Sequence, residues 1–145
     1  MKLTLERFKA AHAESYGTAL REIQAGKKES HWIWYIFPQI AGLGRSAVAQ
    51  YYEIQDEAEA MAFWQDPLLS GHLTEITKAL LNLENSIDSI LGFPDNLKLR
   101  SSMTLFYLVT GEPLFKKVLD KFFAGETDEY TVRKVSRERK GYETN

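Results

Sequence analysis

The sequence predicts an all-α protein that folds as a single compact, irregular bundle of about seven or eight helices. Three observations support this fold class. Apolar residues recur every three or four positions through most of the chain, capping residues and glycines separate these segments, and no segment alternates apolar and polar residues as a half-buried strand does. The chain has 145 residues, enough to bury a core, and we expect one domain over residues 1–145.

The first predicted helix precedes a segment that is dense in aromatic residues. Its apolar stripe consists of Leu5, Phe8, His12, Tyr16, Ala19 and Ile23. The aromatic segment, residues 30–37, then meets Pro38, which disfavours helical geometry at the residue before it. Periodicity does not separate a short buried helix from a strand here. We interpret the segment as a helix, because Ser30 can cap it and no partner strand is apparent elsewhere.

Capping residues predict where the next three helices begin. Ser46 can cap a helix that runs through Tyr52, and Asp56 can cap a second one. Asp66 followed by Pro67 is typical of a helix start, because proline suits the first helical position. The apolar stripe of this third helix consists of Leu69, Leu73, Ile76, Leu80 and Leu83.

The remaining chain predicts a short turn and three further helices. The turn covers residues 87–91, and Asp95 can cap a helix that Gly111 ends. Pro113 begins the next helix. A last, highly charged helix follows, and we expect residues 136–145 to form a frayed, charged tail.

Composition excludes several classes of protein. The absence of cysteine excludes disulfides, zinc–thiolate sites, iron–sulfur clusters and a cysteine nucleophile. With 18 basic and 20 acidic side chains the net charge is −2, so we expect no nucleic-acid partner. The longest stretch without a charge, residues 30–44, is too short to span a bilayer, and the charged N-terminal segment is unlike a signal peptide. We therefore expect a cytoplasmic protein without membrane contacts.

The aromatic segment contains the residues best suited to a ring-bearing ligand. Trp32 and Trp34 offer faces that stack on rings and N–H groups that orient a polar atom, and Lys28 lies just before them. His31 is the best candidate for proton transfer, because histidine changes its charge near neutral pH, and Gln39 is a second catalytic candidate. The alternative is a core helix whose aromatic residues only pack.

Two polar segments are candidates for holding an anion. In the glycine-rich turn before the next helix, Arg45 offers a planar fork and Ser46 begins a helix with free N–H groups. Further along, Lys98, Ser101 and Ser102 lie on neighbouring turns of one predicted helix. The alternatives are a tight turn in which Ser46 is only a cap, and an exposed first helical turn.

We expect no metal site and no cofactor. The histidines are His12, His31 and His72, and none is paired with a second histidine at helical spacing. His12 and His72 lie on apolar stripes, where a buried histidine with satisfied hydrogen bonds is the common outcome.

Three separated motifs resemble one bacterial family, domain of unknown function 1810, whose sequences sometimes carry an unsupported calpastatin label. The motifs are residues 30–39 (SHWIWYIFPQ), 42–46 (GLGRS) and 95–106 (DNLKLRSSMTLF), and the likeness covers nearly the whole chain. The resemblance implies an all-helical, single-domain, cytoplasmic protein and supplies neither an activity nor a cofactor. Relatives usually read Ala-Gln where this chain has Ala11 and His12, so a role of that glutamine would be lost here.

Two functional hypotheses follow from these residues. In the first, a pocket holds an anionic, ring-bearing small molecule such as a nucleotide or an ADP-ribose derivative, with Arg45 and Lys98 on its phosphate and a tryptophan on its ring. If a reaction occurs, we expect hydrolysis of a glycosidic or phosphoester bond. In the second, the same aromatic surface binds a protein partner or another copy of the chain without catalysis. A closed pocket favours the first hypothesis and a flat exposed patch the second; the sequence leaves the oligomeric state open.

Overall fold

The protein is described by a computed structural model that covers residues 3–143. Within these residues nine helices form, at least one more than the sequence predicts, and the all-α fold class is confirmed. The helices are α1 (Glu6–Gln24), α2 (Ile33–Ile36), α3 (Ala47–Tyr52), α4 (Glu57–Gln65), α5 (Pro67–Leu81), α6 (Ile87–Ile90), α7 (Asp95–Thr110), α8 (Pro113–Phe123) and α9 (Glu129–Glu143). In this part of the chain no helix is both long and apolar enough to cross a bilayer.

Local capping signals place most of the helix ends as predicted. The side chains of Ser46, Asp56 and Asp66 accept hydrogen bonds from backbone N–H groups in the first turns of α3, α4 and α5. Pro67 occupies the start of α5. Gly111 ends α7 with a φ of 72°, the left-handed conformation that glycine adopts without steric cost.

Two predicted caps are wrong, because their side chains bind partners elsewhere in the fold. The hydroxyl of Ser30 donates to the Glu22 carboxylate on α1, and α2 begins only at Ile33. Asp95 is the first residue of α7, and Pro94 occupies the cap position without a side-chain hydrogen bond. The Asp95 carboxylate binds two lysines instead.

A chain of phenylalanine rings joins four helices through the core. Phe8 of α1 meets Phe63 of α4 at 5.2 Å between ring centroids, and Phe63 meets Phe106 of α7 at 5.4 Å. Phe106 in turn meets Phe115 of α8 at 5.8 Å. All four rings are fully buried, so they hold α1, α4, α7 and α8 around one core by apolar burial and ring packing.

Helix α2 is the element that brings the aromatic segment to its neighbours. It packs against α1, α3 and α7. After α2, the chain forms a parallel bridge between Ile40 and Ile54. In this bridge the Ala41 N–H donates to the Ile54 carbonyl at 2.8 Å. The aromatic segment therefore lies between the first helix and the start of α7.

The C-terminal helix continues further than the sequence predicts. Residues 136–143 are helical and belong to α9, whereas residues 144 and 145 of the expected tail lie outside the described residues. Arg139 in this helix lies 2.7 Å from the Glu57 carboxylate and donates to the Leu108 carbonyl at 2.9 Å. These contacts tie α9 to the start of α4 and to α7.

Candidate functional site

The carboxylate of Glu22 fixes the start of the aromatic segment. It accepts hydrogen bonds from the Glu29 N–H at 2.7 Å, the Ser30 N–H at 2.9 Å and hydroxyl, and the Trp32 indole N–H at 2.9 Å. Desolvation alone would raise the pKa of Glu22, but these donors favour the charged form and lower the pKa to about 2. Trp32 is 1% exposed, so its ring packs in the core and its N–H is satisfied.

Next to Trp32, two lysines bind the carboxylate of Asp95, and each lysine also lies over the ring of a tryptophan. Lys28 Nζ lies 2.8 Å from one oxygen of Asp95, and Lys98 Nζ lies 3.2 Å from the other. The Lys28 ammonium is 5.2 Å from the centre of the Trp32 ring, and the Lys98 ammonium is 5.3 Å from the centre of the Trp34 ring. We call Lys28, Trp32, Trp34, Asp95 and Lys98 the lysine–tryptophan cluster. It joins the loop before α2, α2 itself and the first turn of α7.

The cluster is partly buried, and its own side chains include more positive than negative charges. The side chains of Lys28, Asp95 and Lys98 are 9%, 16% and 25% exposed. The cluster's own side chains carry two positive charges and one negative charge, and the ionised carboxylate of Glu22, which binds the Trp32 N–H, lies beside them. Trp34 is only half-buried. An ammonium above an aromatic face is attracted by the ring electrons, and partial desolvation strengthens that attraction.

The hydrogen bonds of the turn that contains Arg45 are made with residues outside this cluster. Ser46 caps α3, since its hydroxyl accepts from the Ala49 N–H at 3.1 Å. The side chain of Arg45 is exposed and forms no ion pair or hydrogen bond with residues 3–141, the part of the chain whose side chains the structure describes. The turn's role as an anion site therefore stays a prediction.

Packing accounts for the two glycines of the same turn. Gly42 has a φ of 108°, and the Tyr130 hydroxyl, which donates to the Ala41 carbonyl at 3.0 Å, fills the place that a Cβ would take. A Cβ at Gly44 would press against the side chain of Ala49. A neighbouring side chain thus occupies the space at each glycine.

The two serines that the sequence groups with Lys98 are buried. The Ser101 hydroxyl donates to the Leu97 carbonyl at 3.1 Å, within α7. Ser102 is fully buried, and its hydroxyl has no hydrogen-bond partner among the described residues. An unpaired buried hydroxyl costs free energy. Neither serine forms a hydrogen bond with the lysine–tryptophan cluster in the described part of the chain.

The two catalytic candidates lie at opposite ends of the aromatic segment. His31 is exposed and directly precedes Trp32, and its carbonyl accepts from the Tyr35 hydroxyl at 3.4 Å. Gln39 is half-buried, and its carbonyl accepts from the Ile54 N–H at 2.8 Å. No hydrogen bond joins His31 to Gln39 among residues 3–143.

Sequence reasoning missed a pair of histidines that the fold brings together. His12 Nδ1 lies 2.9 Å from His72 Nδ1, and His12 Nε2 lies 2.8 Å from the Tyr35 carbonyl. Because a carbonyl only accepts, His12 carries its proton on Nε2 and accepts at Nδ1, so His72 donates from Nδ1. Burial lowers the pKa of His12 to about 4. Helical spacing within one segment gives no sign of a pair formed between α1 and α5.

Tyr16 and Glu75 complete this histidine group. The Tyr16 ring stacks on the His72 ring at 3.6 Å between centroids, and its hydroxyl donates to the Glu75 carboxylate. Burial and this carboxylate raise the pKa of Tyr16. One signal was present in the sequence: Tyr16 and His12 both lie on the apolar stripe of the first helix.

Two grooves lie elsewhere on the protein. One of about 750 Å³ runs along α5 and is lined by Gly71, Glu75 and the indole of Trp64, among others. Another of about 660 Å³ lies between Leu5 and Glu59, beside α4. Neither groove is lined by the lysine–tryptophan cluster. Among the side chains of residues 3–141, no three from histidine, cysteine, aspartate or glutamate are grouped so that they could hold a metal ion.

Comparison with known proteins identifies the family. The family model described as "Protein of unknown function (DUF1810)" matches residues 2–135. The 1.38 Å crystal structure of the conserved hypothetical protein Rv1873 from Mycobacterium tuberculosis is similar to this chain, with 41% sequence identity and a TM-score of 0.89. The match covers 91% of this chain and 96% of that one. Among curated proteins none matches. A family match over most of the chain and a shared all-helical fold lead to one conclusion: the protein belongs to the DUF1810 family.

Proposed function

We propose that this protein binds an anionic, ring-bearing small molecule, such as a nucleotide or an ADP-ribose derivative, at the lysine–tryptophan cluster. The observation that carries the proposal is the position of Lys98. Its ammonium lies 5.3 Å from the centre of the Trp34 ring and 3.2 Å from Asp95. A cation and a half-buried aromatic face are thus adjacent, which is the pairing that a phosphate attached to a ring requires.

The lysines of the cluster support the proposal that the ligand is an anion. The cluster has two ammonium groups and one carboxylate, and the Lys28 side chain is only 9% exposed. An anion that reaches partly buried cations interacts more strongly than it would in open water, because the effective dielectric constant is lower. The free energy of binding would then come mainly from charge-assisted hydrogen bonds to Lys28 and Lys98.

The indole of Trp34 supports the proposal that the ligand contains a ring. Trp32 is buried and held by Glu22, whereas Trp34 is half-buried two residues further on. Stacking of a base on an aromatic side chain contributes on the order of 1–3 kcal/mol. A ligand whose phosphate binds Lys98 can place its ring against Trp34.

Calorimetric titration with adenosine 5′-monophosphate and with ADP-ribose tests the proposal. We expect Lys98→Ala and Trp34→Ala each to lower the affinity by about tenfold, the effect of losing one such contact. The matched control is Lys116→Ala, because Lys116 pairs with Asp120 at 3.0 Å on α8. If both cluster variants bind like the wild type, or if the wild type binds neither compound, the proposal is wrong.

Hydrolysis of the bound molecule is the catalytic part of this proposal. His31 is exposed directly beside Trp32 and has the chemistry of a general acid or base. We expect ADP-ribose incubated with the protein to yield a chromatographically separable product, and His31→Ala to slow its formation. Gln39→Ala tests the second candidate in the same assay. Binding without any product would restrict the function to recognition.

A protein partner is the second candidate function, and two exposed apolar side chains favour it. Phe93 is 79% exposed and Leu97 is 39% exposed, and they flank Asp95 along the chain. Exposed large apolar residues beside a charged rim are typical of interaction surfaces. Light scattering over a range of concentrations tests self-association. A mass that rises with concentration in the wild type and stays monomeric in Phe93→Ser would support this function over ligand binding.

A further inference from the structure

We infer that the Asp95 carboxylate occupies the position of the ligand's phosphate, and that the site therefore selects a phosphate monoester over singly charged anions. This inference rests on the proposed function, because it concerns the anion subsite of the lysine–tryptophan cluster. It goes further by naming the charged group of the ligand and the residue that discriminates among ligands.

The geometry of the carboxylate is that of a bound anion. One oxygen of Asp95 meets Lys28 Nζ at 2.8 Å and the other meets Lys98 Nζ at 3.2 Å, so the group bridges the two ammonium groups. It also belongs to the first turn of α7, a helix of 16 residues whose N-terminus lacks a side-chain cap. The positive end of a helix favours negative charge at this place. A phosphate with two free oxygens would make the same two contacts.

Asp95 is able to yield this position. Among residues 3–141, whose side chains are described, its carboxylate forms hydrogen bonds or ion pairs with Lys28 and Lys98 alone. Its side chain is 16% exposed, so a path to solvent exists. An aspartate side chain is short and loses little rotamer entropy when it changes partners, compared with the long charged side chains.

Charge then decides which anions displace the carboxylate. A singly charged group that replaces Asp95 exchanges one negative charge for another, so the two lysines gain nothing. A phosphate monoester carries nearly two negative charges above a pH of about 6 and matches both lysines. A phosphodiester carries only one. The subsite should therefore prefer a terminal phosphate to a phosphodiester of otherwise similar structure.

The experiment compares adenosine 5′-monophosphate with adenosine 3′,5′-cyclic phosphate by calorimetric titration at pH 8. The two share the base and the phosphorus and differ by one charge at the phosphate. We expect the wild type to bind the monophosphate about tenfold more tightly, because it alone neutralises the second lysine. In Asp95→Asn the competing carboxylate is gone, so both nucleotides should bind more tightly than they bind the wild type, the cyclic compound by about tenfold. Asp120→Asn removes the carboxylate beside Lys116 and should leave both affinities unchanged.

The outcomes separate this inference from the proposed function. If Asp95→Asn binds both nucleotides no more tightly than the wild type while Lys98→Ala still weakens binding, the carboxylate is not in the anion's place and the proposed function stands. If neither protein binds either nucleotide, this inference is wrong, and the proposed function is then decided by the titration with ADP-ribose. The wild-type comparison needs no variant: equal affinity for the two nucleotides overturns the inference even where Asp95→Asn does not fold.

Discussion

His12 Nδ1 accepts a hydrogen bond from His72 Nδ1 across 2.9 Å, although 60 positions separate the two residues in the chain. His12 also donates from Nε2 to the Tyr35 carbonyl at 2.8 Å. One buried imidazole therefore links α1 to α5 and to the short helix α2, which contains Trp34. In this arrangement His12 is uncharged, and a proton added to its Nδ1 would require His72 to carry its own proton on Nε2 instead of Nδ1.

Acid should weaken the fold through His12. Burial lowers its pKa from an unfolded value near 6.5 to about 4, so between these values the unfolded chain binds more protons than the folded one. The contribution of His12 is fully present above pH 6.5 and is lost as the pH falls towards 4, at most on the order of 3 kcal/mol. Urea unfolding at pH 7, 5.5 and 4.5 measures the loss. His12→Gln should reduce this loss of stability and leave the part that comes from His72, whose pKa burial also lowers, whereas His31→Gln should keep all of it. An equal loss of stability between pH 7 and 4.5 in both variants would contradict the assignment.

The phenylalanine chain should be costly to interrupt. Phe63 is fully buried between Phe8 and Phe106, so Phe63→Ala removes packing on both sides and leaves a cavity. We expect a loss of about 3–5 kcal/mol in the free energy of unfolding. Phe93→Ala makes the same chemical change at a ring that is 79% exposed and should have little effect. Denaturant titration compares the two, and similar losses would show that the buried chain is not what stabilises the fold.

Two glycine-to-alanine changes should act in opposite directions. At Gly42 a Cβ would overlap the Tyr130 hydroxyl, and a φ of 108° is strained for alanine, so we expect a loss of roughly 1–3 kcal/mol in the free energy of unfolding. At Gly71, in the middle of α5, nothing lies within 4 Å of a Cβ, so alanine should stabilise the helix by about 0.5–1 kcal/mol. Thermal and urea unfolding measure both changes. A destabilised Gly71→Ala would show that the helix needs its glycine.

Arg45→Lys tests whether the glycine-rich turn takes part in anion binding. Arginine grips a phosphate with two parallel N–H groups, and lysine does not reproduce that fork. If the turn contributes, the affinity for adenosine 5′-monophosphate should fall by about tenfold while the melting temperature without ligand stays unchanged. Arg137→Lys, at an exposed position of α9, serves as the control. Unchanged affinity removes Arg45 from the site, and a lower melting temperature without ligand assigns it a structural role.

Sequence patterns predicted those parts of the fold that depend on neighbouring residues. Ser46, Asp56 and Asp66 cap their helices as expected, because a cap acts within three positions along the chain. Ser30 and Asp95 look the same in sequence, yet Ser30 binds Glu22 on α1, and Asp95 binds Lys28 in the loop before α2 as well as its neighbour Lys98. Local spacing carries no information about such partners.

The candidate site shows the same limit. The sequence singled out Trp34 and Lys98 separately, but their contact spans 64 positions and depends on how α2 packs against α7. The sequence did not predict the His12–His72 pair for the same reason, since the two residues lie on different helices. Residue types indicated the chemistry, and only the packing of the helices shows which groups act together.

The Glu22 carboxylate has a further consequence for any ligand at Trp34. Four donors from residues 29, 30 and 32 converge on this one group, so the loop that leads into α2 is ordered before a ligand arrives. Binding then need not immobilise that backbone, a step that otherwise costs about 1–2 kcal/mol for each residue. Such preorganisation makes the amide protons of Glu29 and Ser30 reporters of the local opening of this loop. They should exchange slowly in the free protein and change little when the site is filled.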